Sequence, residues 1–399
     1  MMNTRMLQTE LYKIYSKKVI WVAMAVFLAL FLLTKLQFME MEAIKYTLEP
    51  MRAELAEAVG SEDFHAFVQN SNYQCTVEEM ERFLPASIFE YMGQYREDER
   101  IYRSLNSDLA YIINNYYERR DNRTALMEEL AQETAVPDQT SLYRAKAKLL
   151  EIYRREQVEI ELNLEPAANN FIDVNHSAVF PGLTMLLIIV GLAGIYADEY
   201  TSGTQAALLT SRRGRRGVFF SKLTAAGIFI GSVVLAMECF FMLVTAVCFR
   251  AKGAVISAAS AYGLSMTTYG GSVCGFCVRQ ILGTLLAGFT LGSIVMCISA
   301  YSRNALIPFF AAGVFYGGTA VYANTIAFPA YVSSLWSLPG EWSLFMLQTQ
   351  VELVAAGHFT DILGHLVPAL TGNVLWNILL MVICLALCYR AYTGKQVKD

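Results

Sequence analysis

Only 17% of this 399-residue chain is charged, so a charged side chain within an apolar stretch demands a physical reason. The densest group lies between Ile195 and Leu223, in IYADEYTSGTQAALLTSRRGRRGVFFSKL, which carries Asp198, Glu199, Arg212, Arg213, Arg215, Arg216 and Lys222. Uncharged spans flank it, and a short loop so rich in Arg and Lys belongs on the cytoplasmic face of a membrane. Asp198 and Glu199 precede a helix-compatible run, Thr204 to Leu209, and Gly214 and Gly217 punctuate its end. A small helix is thereby offered to the cytoplasm.

Other residues could do chemistry in isolation. Glu238 sits near the middle of the apolar run Leu223 to Phe249, where a carboxylate is costly, and its one obvious cation is Arg279. Two readings stay open for this possible intramembrane polar site: a paired or protonated structural acid, or a substrate or gating site. Cys274 and Cys277 have metal or redox spacing, but no second CxxC or nearby His completes a zinc set. Most of the eight cysteines lie in or beside apolar spans, as small buried side chains do, and Cys75 stands alone in a polar segment. His358 and His365 are seven residues apart on a stretch read as surface, which favours plain surface histidines over ligands or pH sensors.

Several chemistries are excluded. No GxxxxGK[ST] run occurs, so the chain lacks the backbone cradle and Lys that hold ATP phosphates; HExxH and GxSxG are also absent. The reading is of a non-enzyme that binds no cofactor or metal itself. The largest polar segment, residues 38–177, holds 14 basic and 27 acidic residues, a net −13, so it has no nucleic-acid face. The remainder, 17 basic against 8 acidic, is +9.

The elements that must position these residues follow from hydropathy. With 55% hydrophobic residues the chain is an integral membrane protein, read as all-α with six transmembrane helices and a helical extracytoplasmic domain between the first and second. Residues 1–18 place Met6, Leu7, Leu11, Ile14 and Tyr15 at helical spacing among basic residues, an amphipathic helix at the inner surface. Spans are expected at 19–36, 178–197, 223–249, 279–301, 304–327 and 366–389. The acidic helical domain occupies 37–177, a loop 198–222, an outer loop 250–278, a second outer segment 328–365, and a tail 390–399. Phe328 to His365 contains no Lys or Arg, which places it outside, and both termini fall inside, in the cytoplasmic membrane. Tyr91, Tyr95, Tyr102, Tyr111, Tyr116 and Tyr117 mark either a binding face or ordinary helix packing. Thr76-x-x-Glu79 predicts a capping box.

An apolar helix ending in ADEY, then TSGT, a short apolar helix, an Arg-rich turn and SKL opening the next span resembles the ABC-2 family of ABC transporter permeases. The likeness covers residues 1–36 and 178–399. Glu199, Gly203 and Thr204 match the family's acidic-x-x-x-Gly-Thr signature, and Lys222 matches the Lys that opens the next helix. The resemblance implies that this loop, including Leu208, Leu209, Arg212 and Arg213, docks on a separate P-loop ATPase subunit that carries the ATP. It also implies short re-entrant helices in the second outer segment, a second permease chain as homodimer or related partner, and ATP-driven export. The competing reading is a membrane-anchored sensor or immunity-type protein that binds through its outer helical domain.

Overall fold

In lipid, a backbone can satisfy its N–H and C=O groups only within a helix or a closed barrel, so long apolar runs become helices. The computed structural model describes residues 4–42, 50–156, 160–163, 171–172, 179–203, 214–249, 254–261, 264–325, 331–355 and 357–394. Six of its helices are long and apolar enough to cross a membrane: Lys18–Gln37, Val179–Thr201, Arg215–Phe249, Val273–Tyr301, Leu306–Thr325 and Ala369–Thr393.

In chain order, α1 (Thr4–Tyr15) precedes α2 (Lys18–Glu42). A helical domain follows with α3 (Arg52–Val59), α4 (Glu62–Asn70), α5 (Val77–Met80), α6 (Ala86–Gly93), the long α7 (Glu99–Glu133) and α8 (Ser141–Glu156). The chain then returns as α9 (Val179–Leu192), turns into the short α10 (Ala197–Thr201), and continues as α11 (Gly214–Phe249), α12 (Val273–Tyr301) and α13 (Leu306–Thr325). Short helices α14 (Leu338–Glu341), α15 (Leu344–Thr349) and α16 (Val351–Ala355) lead to strands β1 (Phe359–Ile362) and β2 (His365–Pro368) and the last helix, α17 (Ala369–Thr393).

Three boundaries differ most from the sequence expectation, the first being that α12 opens at Val273, inside the expected outer loop 250–278. The helix α11 opens at Gly214, so Arg215, Arg216 and Lys222 are helical and not part of a loop. Strands β1 and β2 form an antiparallel hairpin, with Phe359 opposite Pro368 and Ile362 opposite His365, where an outer loop with re-entrant helices and the first turn of the last span were expected. Strands of four residues are too short to register as a period-2 pattern against an apolar background.

The most buried spans are Val179–Thr201 and α12, 67% and 61% buried over their most apolar stretches, against 17% for α2. Gly288 and Gly292 let α12 approach α11 closely. A Cβ on Gly292 would come within 2.6 Å of Ile230, and one on Gly288 within 3.0 Å of both Ile188 and Ile230. Small residues four apart permit such helix approach in membranes, where hydrophobicity alone does not distinguish a helix from lipid.

The helical domain has its own core. Leu105, Leu109, Ile113 and Tyr117 recur every four residues along α7 and pack with Leu55, Phe64, Met80 and Ile88. Asp98 caps α7 by accepting from the Ile101 N–H, and the capping box of Thr76 and Glu79 is present. Tyr117 is fully buried, with Tyr95, Tyr102 and Tyr116 packed around this core, so these tyrosines do helix packing. Tyr111 remains half exposed.

This domain rests on the end of the bundle where α12 and α17 begin. Tyr153 donates its hydroxyl to the Met266 carbonyl at 2.6 Å, and Arg123 donates to the Ser265 carbonyl at 3.2 Å. Lys148 donates to the Leu366 carbonyl at 2.9 Å and Arg144 to the Gly364 carbonyl at 2.6 Å. A small apolar cluster of Leu130, Leu149, Leu150, Tyr153 and Phe359 seals the joint.

Candidate functional site

At the opposite end, α1 lies across the end of α9 and the first half of α11, fixed by apolar Ile14 and by the Tyr15 hydroxyl, 2.5 Å from Ser232 Oγ. Its polar edge faces inward at one place. Lys222 of α11 is buried, and its ammonium uses all three protons: Glu10 Oε2 at 2.8 Å, Glu199 Oε1 at 2.7 Å, and the Ile195 carbonyl at 2.8 Å. Lys13 bridges the same two acids, 2.9 Å from Glu10 Oε1 and 3.2 Å from Glu199 Oε1. Two cations and two anions thus form a neutral cluster that ties three elements together: α1, α10 and α11.

Glu199 reaches this position because α9 ends at Leu192 and the chain turns before α10. Ser299 of α12 holds the turn. Its hydroxyl oxygen accepts from the Tyr196 and Ala197 N–H groups, each at 3.2 Å, and donates to the Ala193 carbonyl at 2.9 Å. Beyond the cluster, Lys17 donates to the Gly191 carbonyl at 3.1 Å and lies 4.0 Å from Asp198. A cleft of about 570 Å³ runs between α1 and this turn, lined by Glu10, Lys13, Lys17, Asp198, Glu199 and Ser202.

Electrostatics follows the geometry. Burial pushes the Glu10 carboxyl up, but Lys222 and Lys13 outweigh it and hold the group below the ordinary carboxylate value. Burial pushes the Lys13 ammonium down, and Glu10 and Glu199 more than reverse that. For Lys17 burial prevails over the attraction of Asp198, and its value falls. Glu199 Oε2 has no hydrogen-bond partner, so the cluster is not fully satisfied.

The structure therefore joins two residues singled out in the sequence, Glu199 and Lys222, and adds Glu10 and Lys13 of α1, whose part in such a cluster the sequence did not signal. Glu199 is buried, 5% exposed. Gly203 is exposed with φ +67°, a left-handed turn suited to glycine. Thr204, Leu208, Leu209, Arg212 and Arg213 lie outside the described residues.

The other sequence candidates fare differently. Among the described residues no ion pair joins Glu238 to Arg279: Glu238 is buried in α11, and Arg279 places its guanidinium over the Tyr269 ring, 5.3 Å from the centroid. Helical spacing could not show that their side chains diverge. Cys274 and Cys277 are free thiols on the first turn of α12, and no metal-holding group occurs among the described residues. His358 is not a surface histidine. It is 5% exposed and 3.1 Å from Oε1 of the fully buried Glu341, which also accepts from Ser333. Burial pushes the Glu341 carboxyl up, while His358, Ser333 and Ser337 pull it below the ordinary value. Asn373 of α17 donates to the Glu341 carbonyl at 2.5 Å, locking α14 to the last helix. His365, in contrast, is exposed.

Six membrane-length helices, with a buried ion cluster at one end of the bundle, make this a multi-pass membrane protein. A family model described as an ABC-2 family transporter protein matches residues 5–397, and the chain belongs to that family. The matched range takes in residues 38–177, which the resemblance read from sequence had set apart. No curated protein and no solved structure matches the chain.

Proposed function

We propose that this chain is the permease subunit of an ATP-driven exporter, worked by a separate ATP-binding subunit that docks at residues 198–222. One observation carries the reading. Residues at the two ends of the proposed docking segment, Glu199 and Lys222, meet in a buried cluster that also holds α1 through Glu10. A push on the segment is delivered to three elements at once, because breaking buried ion pairs singly is expensive. In this reading α1, the docking segment and the C-terminus face the cytoplasm, the helical domain faces outward, and a second permease chain completes the cavity. The lightly buried α2, α13 and α17, with exposed Val22, Leu33, Phe310, Val314 and Val382, provide apolar faces for lipid and for that second chain.

The test is purification of the tagged chain from its native membrane in mild detergent, with identification of its companions. A P-loop ATPase should accompany the wild type and be lost or uncoupled in Glu199→Lys. Wild-type chain that is folded and carries no ATPase would sink the reading and turn attention to ligand binding by the helical domain.

A further inference from the structure

At the joint between the helical domain and the bundle lies a cleft of about 380 Å³ whose charged lining is Arg155 and Glu156 of α8, Arg279 of α12 and His358. Its walls are apolar on the bundle side, with Leu353, Val354 and Leu370, and its rim includes the backbone of Gly270, Gly271 and Gly357. Arg279 is the unusual member. It is half-buried, its guanidinium is stacked on Tyr269, and among the described residues no carboxylate pairs with it. Gln350 fixes its backbone by donating to the Arg279 carbonyl at 3.0 Å, so the side chain projects from a rigid point. A guanidinium with five donors, held flat and left without an anion, is built to receive one bidentately.

The remaining charges favour the same occupant. Among the described residues Arg155 pairs only with its exposed neighbour Glu156, at 2.8 Å, and a surface pair of that kind is cheaply exchanged. Glu341, the acid behind His358, is already engaged by His358 and Ser333. We propose that this cleft binds a phosphate oxyanion, with Arg279 as its principal ligand and Arg155 closing over it from the helical domain. The ligand then bridges the domain to the bundle. Phosphate chemistry can arrive as the free ion or as the headgroup of an anionic phospholipid. The cleft lies where α12 and α17 begin and carries an apolar wall, so either can reach it. The inference does not rest on the transport reading.

The experiment uses the full-length purified chain. Binding of radiolabelled inorganic phosphate is measured by equilibrium dialysis in detergent, and thermal unfolding is compared in nanodiscs of phosphatidylcholine with and without phosphatidylglycerol. Phosphate binding assigns the free ion; stabilisation by phosphatidylglycerol alone assigns the headgroup; either supports the site. Arg279→Gln should weaken the effect at least tenfold, and Arg155→Gln less. Thr371→Glu places a carboxylate from an exposed lining position into the cleft and should block binding while folding normally, which decides the matter if Arg279→Gln fails to fold. The proposal is overturned if the wild type responds to neither probe, or if folded Arg279→Gln or Thr371→Glu binds as the wild type does.

Discussion

A buried ammonium that spends its three protons on two carboxylates and a carbonyl is stable only while all partners remain. Lys222→Met leaves Glu10 and Glu199 buried beside one remaining cation, Lys13, and should cost about 3–5 kcal/mol, the usual loss on breaking a buried pair. Neutralising the three buried members together, with Glu10→Gln and Glu199→Gln added to Lys222→Met, should recover much of that loss, because their desolvation cost disappears with their charge and the half-exposed Lys13 can turn to solvent. Thermal unfolding in detergent measures both, and a single variant as stable as the wild type would refute the cluster's role. The pH dependence has a definite sign. Glu10 is held below its ordinary value of 4.5, so its contribution is full above pH 4.5 and fades as pH falls through the lower folded value. Lys13 is raised above 10.5, so its contribution is full below pH 10.5 and is lost only as pH climbs past the raised value. The stability difference between wild type and Glu10→Gln should therefore be constant near neutrality and shrink in acid; a difference that grew in acid would contradict the ion pairing.

Helices in lipid gain little from simple hydrophobicity against one another, so their contacts depend on shape and on a few polar stitches. Gly292→Leu would drive a branched side chain into Ile230 and Leu192, and overpacking of this kind costs about 1–3 kcal/mol. Ser299→Ala removes an acceptor from two buried N–H groups and should cost a similar amount, about 1–3 kcal/mol, while letting α10 and Glu199 shift. If Ser299→Ala left stability intact, Ser299 would not be the element that positions Glu199. The six spans were legible in the sequence because hydropathy sums over about twenty residues and outweighs local noise. The hairpin Phe359–Pro368 was not, because four-residue strands carry no such sum. Half of the ion cluster was legible. Glu199 and Lys222 stood in a motif, whereas Glu10 pairs with a residue 212 positions away, a distance across which no local pattern speaks. The burial of His358 was hidden for the same reason: its partner Glu341 is chosen by tertiary packing and not by spacing.

On the scale of the whole molecule, charge and contact divide the bundle into two ends. One end gathers Lys13, Lys17, Arg215, Arg216, Lys222 and Arg390 with the ion cluster. The other carries the net-acidic domain and a segment, residues 328–365, without a single Lys or Arg. Positive residues in short segments near the membrane are retained on the cytoplasmic side, while long domains are translocated with little regard to charge. The two ends should accordingly face opposite compartments, and thiol labelling measures this directly. In a chain stripped of its eight native cysteines, a cysteine at exposed Asp138 should react with a membrane-impermeant maleimide on intact cells. A cysteine at exposed Ser202, beside the ion cluster, should react only after the cells are opened. Reversed labelling would put the ion cluster outside, where no ATP-binding subunit could reach it, and would remove the exporter reading along with the topology. Equal labelling of both positions on intact cells would show that the two ends share a compartment, which the single span between those points, Val179–Thr201, cannot permit unless it fails to traverse the membrane.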